Sequence, residues 1–132
     1  MNRKSLVRKI LLVDDDADDR RYFREALHKI DPCIEFVEAK DGRQALELLQ
    51  NTGLSLPDNI FLDLRMPRYN GKQCLLQIRA DERLQNIPVI IYSTSKEVDD
   101  SEKIQALGAV RFISKPSTLD EIYHLISLVL KE

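Results

Sequence analysis

Five short strand-like runs, the central ones continuously apolar and the second alternating, each followed by a stretch of helical periodicity, constrain this chain of 132 residues more than any other feature. Lys9–Val13 opens the series; Ile34–Val37, Asn59–Leu62, Val89–Tyr92 and Val110–Ile113 continue it. Strands that read as unbroken apolar runs are buried on both faces, as in a parallel sheet covered by helices. Between them the spacing predicts helices over Asp18–Ile30, around Ala45–Leu49, around Leu75, Leu76 and Ile78, over Val98–Leu107 and over Leu119–Leu130. Pro32 stops the first helix, Asp41-Gly42 makes a turn before the second, and Gly108 closes the fourth. Pro88 stands at the start of a strand, where a sheet tolerates proline. Tyr22, Phe23, Ala26, Leu27 and Ile30 form one predicted core stripe; Leu119, Ile122, Tyr123, Ile126, Val129 and Leu130 form another. The expected fold is α/β, a five-stranded parallel sheet with helices on both faces, doubly wound.

We expect one domain over residues 1–132, with 1–8 a short basic extension too polar for a signal peptide. A net charge of −2 provides no basic field for nucleic acid or an anionic membrane. No apolar run approaches a membrane span. Cys33 and Cys74, far apart and without a Cys-x-x-Cys pattern, read as free thiols in a reducing compartment, and the expected location is cytoplasmic.

In an open α/β sheet, ligands bind beyond the carboxyl ends of the strands, where the winding reverses. There the chain places Asp14-Asp15-Asp16 after the first strand, Asp63 after the third, Ser93-Thr94-Ser95 after the fourth and Ser114-Lys115-Pro116 after the fifth. Adjacent carboxylates repel unless something positive joins them. Two readings of the aspartate run stand side by side: a carboxylate site for Mg²⁺ or Mn²⁺, or an acidic loop that caps the following helix. With a cation held by Asp14 or Asp15 and by Asp63, a carboxylate attacking a phosphoryl group forms an aspartyl-phosphate. Asp63, alone at the tip of a central strand, is the candidate nucleophile. Lys115 supplies positive charge and Ser93 a hydroxyl for phosphoryl oxygens.

Leu12-Val13-Asp14-Asp15, the run Leu62-Asp63-Leu64-Arg65-Met66-Pro67 with Gly71, Ser93 after the fourth strand, and Lys115-Pro116 together resemble a response-regulator receiver domain of two-component signalling. The resemblance covers about the whole chain and implies a flavodoxin-like (βα)5 fold. It further implies that a histidine kinase or a histidine phosphotransfer protein donates a phosphoryl group to Asp63, with Mg²⁺ held by Asp14, Asp15, Asp63 and the backbone carbonyl of Arg65. Ser93 would be the switch hydroxyl, Phe112 the switch aromatic, Lys115 the phosphate-contacting lysine, and Pro116 would follow a cis peptide bond. Such a protein is not a turnover enzyme. It presents a changed surface to a downstream protein or to a second copy of itself on phosphorylation. Arg65 and Thr94 depart from common family residues and are expected to tune phosphoryl lifetime and access. The Ser-Thr-Ser segment, residues 79–84 and the compact length resemble single-domain regulators that serve bacterial sensor kinases, phytochrome-type kinases among them.

Duller roles are expected elsewhere. Asp16 starts the first helix, Asp18 and Asp19 favour its positive end, Ser95 caps the fourth helix and Ser117 or Thr118 the last. His28 and His124 lie within helices, away from the strand ends. The rivals are a Mg²⁺-dependent phosphohydrolase with an aspartyl-phosphate and a phosphorylation-inert binding module. The haloacid-dehalogenase type of hydrolase wants a second acid two residues after its nucleophile, where this chain has Arg65. Retention of Asp63, the acidic pair and Lys115 argues against the inert module.

Overall fold

Side chains along a strand alternate between the two faces of a sheet, and the chain's two cores follow from that alternation. β1 (Lys9–Val13), β2 (Glu35–Ala39), β3 (Asn59–Leu62), β4 (Val89–Ser93) and β5 (Arg111–Ser114) form one parallel sheet in the order β2-β1-β3-β4-β5. The structure, a computed structural model, describes residues 8–65, 71–94, 106, 108–109 and 111–131. From β1, Ile10 and Leu12 pack with Phe23, Ala26 and Leu27 of α1 (Ala17–Ile30) and Ile122, Ile126 and Val129 of α4 (Leu119–Leu130). Leu11 and Val13 turn the other way, onto Ala45 and Leu49 of α2 (Gly42–Gln50) and Cys74, Leu75 and Ile78 of α3 (Gly71–Ala80). The sheet is thus covered on both faces, as its apolar strands require.

Local signals set most element boundaries. Asp16 caps α1, its side chain accepting from the backbone N–H of Asp18 and Asp19, and Thr118 caps α4 by accepting from Glu121. Asp41 is a helix cap too, accepting from the Gln44 N–H, so Asp41-Gly42 begins α2 directly instead of forming a separate turn. β2 lies later than expected: the Ile34 N–H is taken by the Asp31 carbonyl, and pairing with β1 runs on to Val13 opposite Ala39.

Tyr22 falls outside the core, 39% exposed, with Arg21 over its ring; the buried stripe of α1 is Phe23, Ala26 and Leu27. Leu119 and Leu76 are likewise exposed, being off the buried stripes of their helices. The expected cis bond before Pro116 is absent: the peptide bonds of the described residues are trans, the isomer that even prolines favour. Of the helix expected over Val98–Leu107 the described residues include Ala106 alone, which is helical; the cap at Ser95, and Met66, Pro67 and Val110 lie outside them. Among the described residues, no helix is long and apolar enough to cross a membrane.

Candidate functional site

Strands β1 and β3 are neighbours, and at this pair the winding changes direction, since β2 lies beyond one and β4 beyond the other. Backbone pairing continues one residue past each strand. The Asp14 N–H donates to the Ala39 carbonyl (3.0 Å) and the Asp63 N–H to the Val13 carbonyl (2.9 Å). The two aspartates therefore leave the sheet side by side, and both are buried. Asp15 is exposed beside them, and carboxylate oxygens of Asp14, Asp15 and Asp63 lie within 4.8 Å of one another. The Asp14 carbonyl accepts from Arg20 Nη1 (2.7 Å), and its Oδ1 accepts from the Asp16 N–H (2.9 Å).

Both oxygens of Asp63 are engaged. Oδ1 accepts from Ser93 Oγ (2.8 Å) and from the Arg65 backbone N–H (2.9 Å), and Oδ2 accepts from Lys115 Nζ (2.9 Å). Ser93 is fully buried and already points at the acid. Lys115 comes from the far edge of the sheet, two strands from β3, a span of about 10 Å at ordinary strand spacing that its long side chain crosses. Its backbone N–H donates to the Ser93 carbonyl (2.6 Å), so the serine and the lysine are set by one pairing between β4 and β5. The ammonium also lies 2.8 Å from Asp14 Oδ2 and 2.8 Å from Asp19 Oδ2, and 5.9 Å from the centre of the Tyr92 ring.

Burial raises the Asp14 carboxyl from an ordinary 3.8 to about 6; Lys115 pulls it back down, and Asp63 adds a smaller upward push. For Lys115, burial by itself would lower the pKa, but the charge and contact of Asp14, with Asp19 and Asp63, carry it above the usual lysine range. The ammonium is held charged.

Asp14 Oδ2 is buried, and the partner it has among the described residues is the Lys115 ammonium at 2.8 Å. A buried carboxylate oxygen with coordination to spare, beside two further carboxylates, suits a hard divalent cation that prefers oxygen ligands. The donor set fits Mg²⁺ or Mn²⁺. Phe112, the expected switch aromatic, is half-buried against the α2/α3 core, and Arg65 Nη1 reaches Thr94 Oγ1 (3.4 Å) on the rim. His28 and His124 are exposed on their helices, away from the site.

The family model for the response regulator receiver domain matches residues 10–127. The chain belongs to that family. As a receiver domain it is similar to the response regulator Rcp1 of Synechocystis sp., 30% identical over 121 residues that span 89% of this chain and 82% of Rcp1. The probable methanogenesis regulatory protein FilR2 of Methanothrix harundinacea is 31% identical over 86% of this chain and 75% of its own length. Among solved structures, the phosphorylated cyanobacterial phytochrome response regulator RcpA superposes with a TM-score of 0.87 at 32% identity, over 96% of this chain and 93% of that one. The Mn²⁺-bound form of Rcp1 superposes with a TM-score of 0.82 at 28% identity, over 92% and 91% of the two chains.

The receiver's expected site residues Asp14, Asp15, Asp63, Ser93 and Lys115 meet at one edge, while Phe112 stands apart in the packing against the core. Asp19 was expected only to favour the helix terminus. Its place at Lys115 has a local signal: it lies one helical turn beyond Asp15, and helix side chains tilt toward the N-terminus, back over the strand ends.

Proposed function

We propose that this receiver accepts a phosphoryl group on Asp63 from a histidine kinase or a histidine phosphotransfer protein. The observation that carries the reading is the engagement of Asp63: a buried carboxylate held on one oxygen by Ser93 and the Arg65 N–H and on the other by Lys115, beside Asp14 and Asp15. The carboxylate oxygen forms a bond to phosphorus as the phosphorus–nitrogen bond of phosphohistidine breaks. The imidazole leaves with the electron pair and takes a proton, and the product is an acyl phosphate. Hydrolysis later breaks the Asp63–phosphorus bond, returning the carboxylate and inorganic phosphate.

Asp14, Asp15, Asp63 and the Arg65 carbonyl would hold Mg²⁺, with Mn²⁺ as a substitute. A bound divalent cation supplies positive charge to offset and orient the phosphoryl oxygens. Lys115 adds a fixed charge beside Asp63, and Ser93 would donate to a phosphoryl oxygen, exchanging its bond to Asp63 for one to the new group. That exchange, together with repositioning of Phe112, changes the surface offered to a downstream protein or to a second copy of the chain. The chain then works as one receiver over 1–132, with residues 1–8 an extension, in the cytoplasm, and as a phosphoacceptor instead of a turnover enzyme. Arg65 and Thr94, joined across the rim, set access of donors and hydrolytic water.

Acetyl phosphate and MgCl₂ provide the test. The protein is expected to gain the mass of one phosphoryl group, dependent on Mg²⁺ and lost in Asp63→Asn. No gain would remove the reading, and sustained release of phosphate from p-nitrophenyl phosphate would favour a hydrolase. Arg65→Ala and Thr94→Ala are expected to change the decay of the phosphorylated form; parent-like decay in both would remove their role.

A further inference from the structure

Three carboxylates surround the Lys115 ammonium, and two of them have other work in the reading above. Once Asp63 is an acyl phosphate its carboxylate charge has moved onto the phosphoryl group, and Asp14 is a metal ligand in that reading. Asp19 has no such duty. Its Oδ2 accepts from Lys115 Nζ at 2.8 Å, and its side chain is about one-third exposed at the mouth of the site. The Asp19 backbone N–H is tied to Asp16 Oδ1 (3.2 Å), and the Asp16 N–H to Asp14 Oδ1 (2.9 Å), so the first turn of α1 is coupled to the loop that carries the acids. The Tyr92 ring lies 5.9 Å from the ammonium.

We propose that Asp19 is a positioning residue for phosphoryl transfer: it anchors the Lys115 ammonium at the site when Asp63 and Asp14 take other partners. This rests on the phosphoacceptor reading and deepens it. Lysine is a flexible four-carbon chain with three donors, and it loses much rotamer freedom when fixed. Anchored at Asp19, Lys115 has only to turn its remaining donors from the Asp63 carboxylate toward a phosphoryl oxygen. Without the anchor it must be ordered anew in each transfer. Asp18, one residue earlier, is a built-in comparison: it carries the same charge on the same helical turn and pairs with Arg21 (3.4 Å) on the surface.

The test compares the parent chain, Asp19→Ala, Asp19→Asn and Asp18→Asn, phosphorylated by acetyl phosphate at saturating MgCl₂ and followed by intact mass. Asp19→Ala is expected to take up the phosphoryl group about fivefold to tenfold more slowly, the effect of one partly exposed charge-assisted hydrogen bond. Asp19→Asn keeps an oxygen acceptor without the charge and is expected to fall between Asp19→Ala and the parent. Asp18→Asn is expected to match the parent. Independently of phosphorylation, the Lys115 ammonium is expected to give a slowly exchanging nitrogen–proton correlation signal in the parent and in Asp18→Asn, lost in Asp19→Ala. Circular dichroism establishes that the variants fold, and Asp19→Asn carries the comparison where Asp19→Ala does not. Parent-like uptake in the Asp19 variants overturns the proposal, as does faster uptake in both, which would mark simple relief of charge repulsion. An inert parent overturns the phosphoacceptor reading and this role with it; a phosphorylated parent with an unaffected Asp19 variant overturns the anchor alone.

Discussion

At Asp14, burial and charge pull in opposite directions, and the balance can be read in the protein's stability against pH. Its carboxyl is raised in the folded chain to about 6 from 3.8, chiefly by burial. A group whose folded value lies above its unfolded one contributes stability that is complete below the unfolded value and lost as pH rises through the folded value. The window is therefore pH 4 to 6, and the shift corresponds to about 3 kcal/mol. Asp14→Asn is expected to be more stable than the parent at pH 7.5 in the presence of a chelator, with the gain shrinking toward pH 4. Equal pH slopes in urea titrations of the two proteins would deny it. Cys74 offers a second residue-scale expectation: burial pushes its thiol up to about 12, while Cys33 is exposed. At pH 8 one of the two cysteines is expected to react with a thiol reagent in the folded chain, and both after denaturation.

Among the elements, the start of α3 packs directly against the backbone of Asp63 and Leu64. The first residue of α3, Gly71, donates its N–H to the Leu64 carbonyl (3.2 Å), and a Cβ there would lie 2.6 Å from Leu64 Cα and nearer still to the Asp63 carbonyl. Gly71→Ala is expected to cost about 1–3 kcal/mol, as overpacking does, and to slow phosphorylation because the displaced backbone is that of Asp63. Parent-like stability and uptake would show that the contact at Gly71 yields without cost. At the other end of α3, Arg79 gathers four carbonyls: Gly108 (3.1 Å), Leu84 (3.5 Å), Gln85 (2.6 Å) and Ile87 (2.9 Å). Burial lowers the Arg79 pKa. Gly108, at φ 112°, leaves room for this side chain, whose Cδ would be 2.9 Å from an added Cβ. Arg79→Ala is expected to lose about 2–4 kcal/mol in chemical denaturation, and Arg79→Lys to recover little, since a point charge cannot span these acceptors. Full recovery by lysine would make charge, and not the fork of donors, the cause.

For the whole molecule, a site made from four strand ends links metal binding to folding. A cation that binds the folded chain and not the unfolded one raises the melting temperature by mass action. Mg²⁺ is expected to raise it in a concentration-dependent way, and to leave Asp14→Asn and Asp63→Asn unmoved; an equal rise in those variants would place the cation elsewhere. The order of the described elements and the covering of both sheet faces were legible in the sequence because central strands buried on both faces are apolar throughout and helices must bury one stripe. Tyr22 was misplaced because a stripe's edge is set by the neighbouring helix, which one helix's periodicity does not contain. The end of β2 was misplaced for a related reason: its last residues are strand only because β1 pairs with them. The site's acids, hydroxyl and lysine were legible because each stands at or just past the end of a strand, and strand ends converge in a doubly wound sheet.

The sequence by itself determined what chemistry is available: three aspartates after β1, one after β3, a serine at the end of β4 and a lysine after β5, on a chain patterned for a parallel sheet. Tertiary structure alone decided how those groups are used. Pairing of β1 with β3 buried Asp14 and left Asp15 exposed, and pairing of β4 with β5 carried Lys115 across two strands to Asp63. Packing of α1 over β1 brought Asp19 to the same ammonium. Burial and charge proximity depend on distances between residues far apart in the chain, and local pattern does not encode those distances.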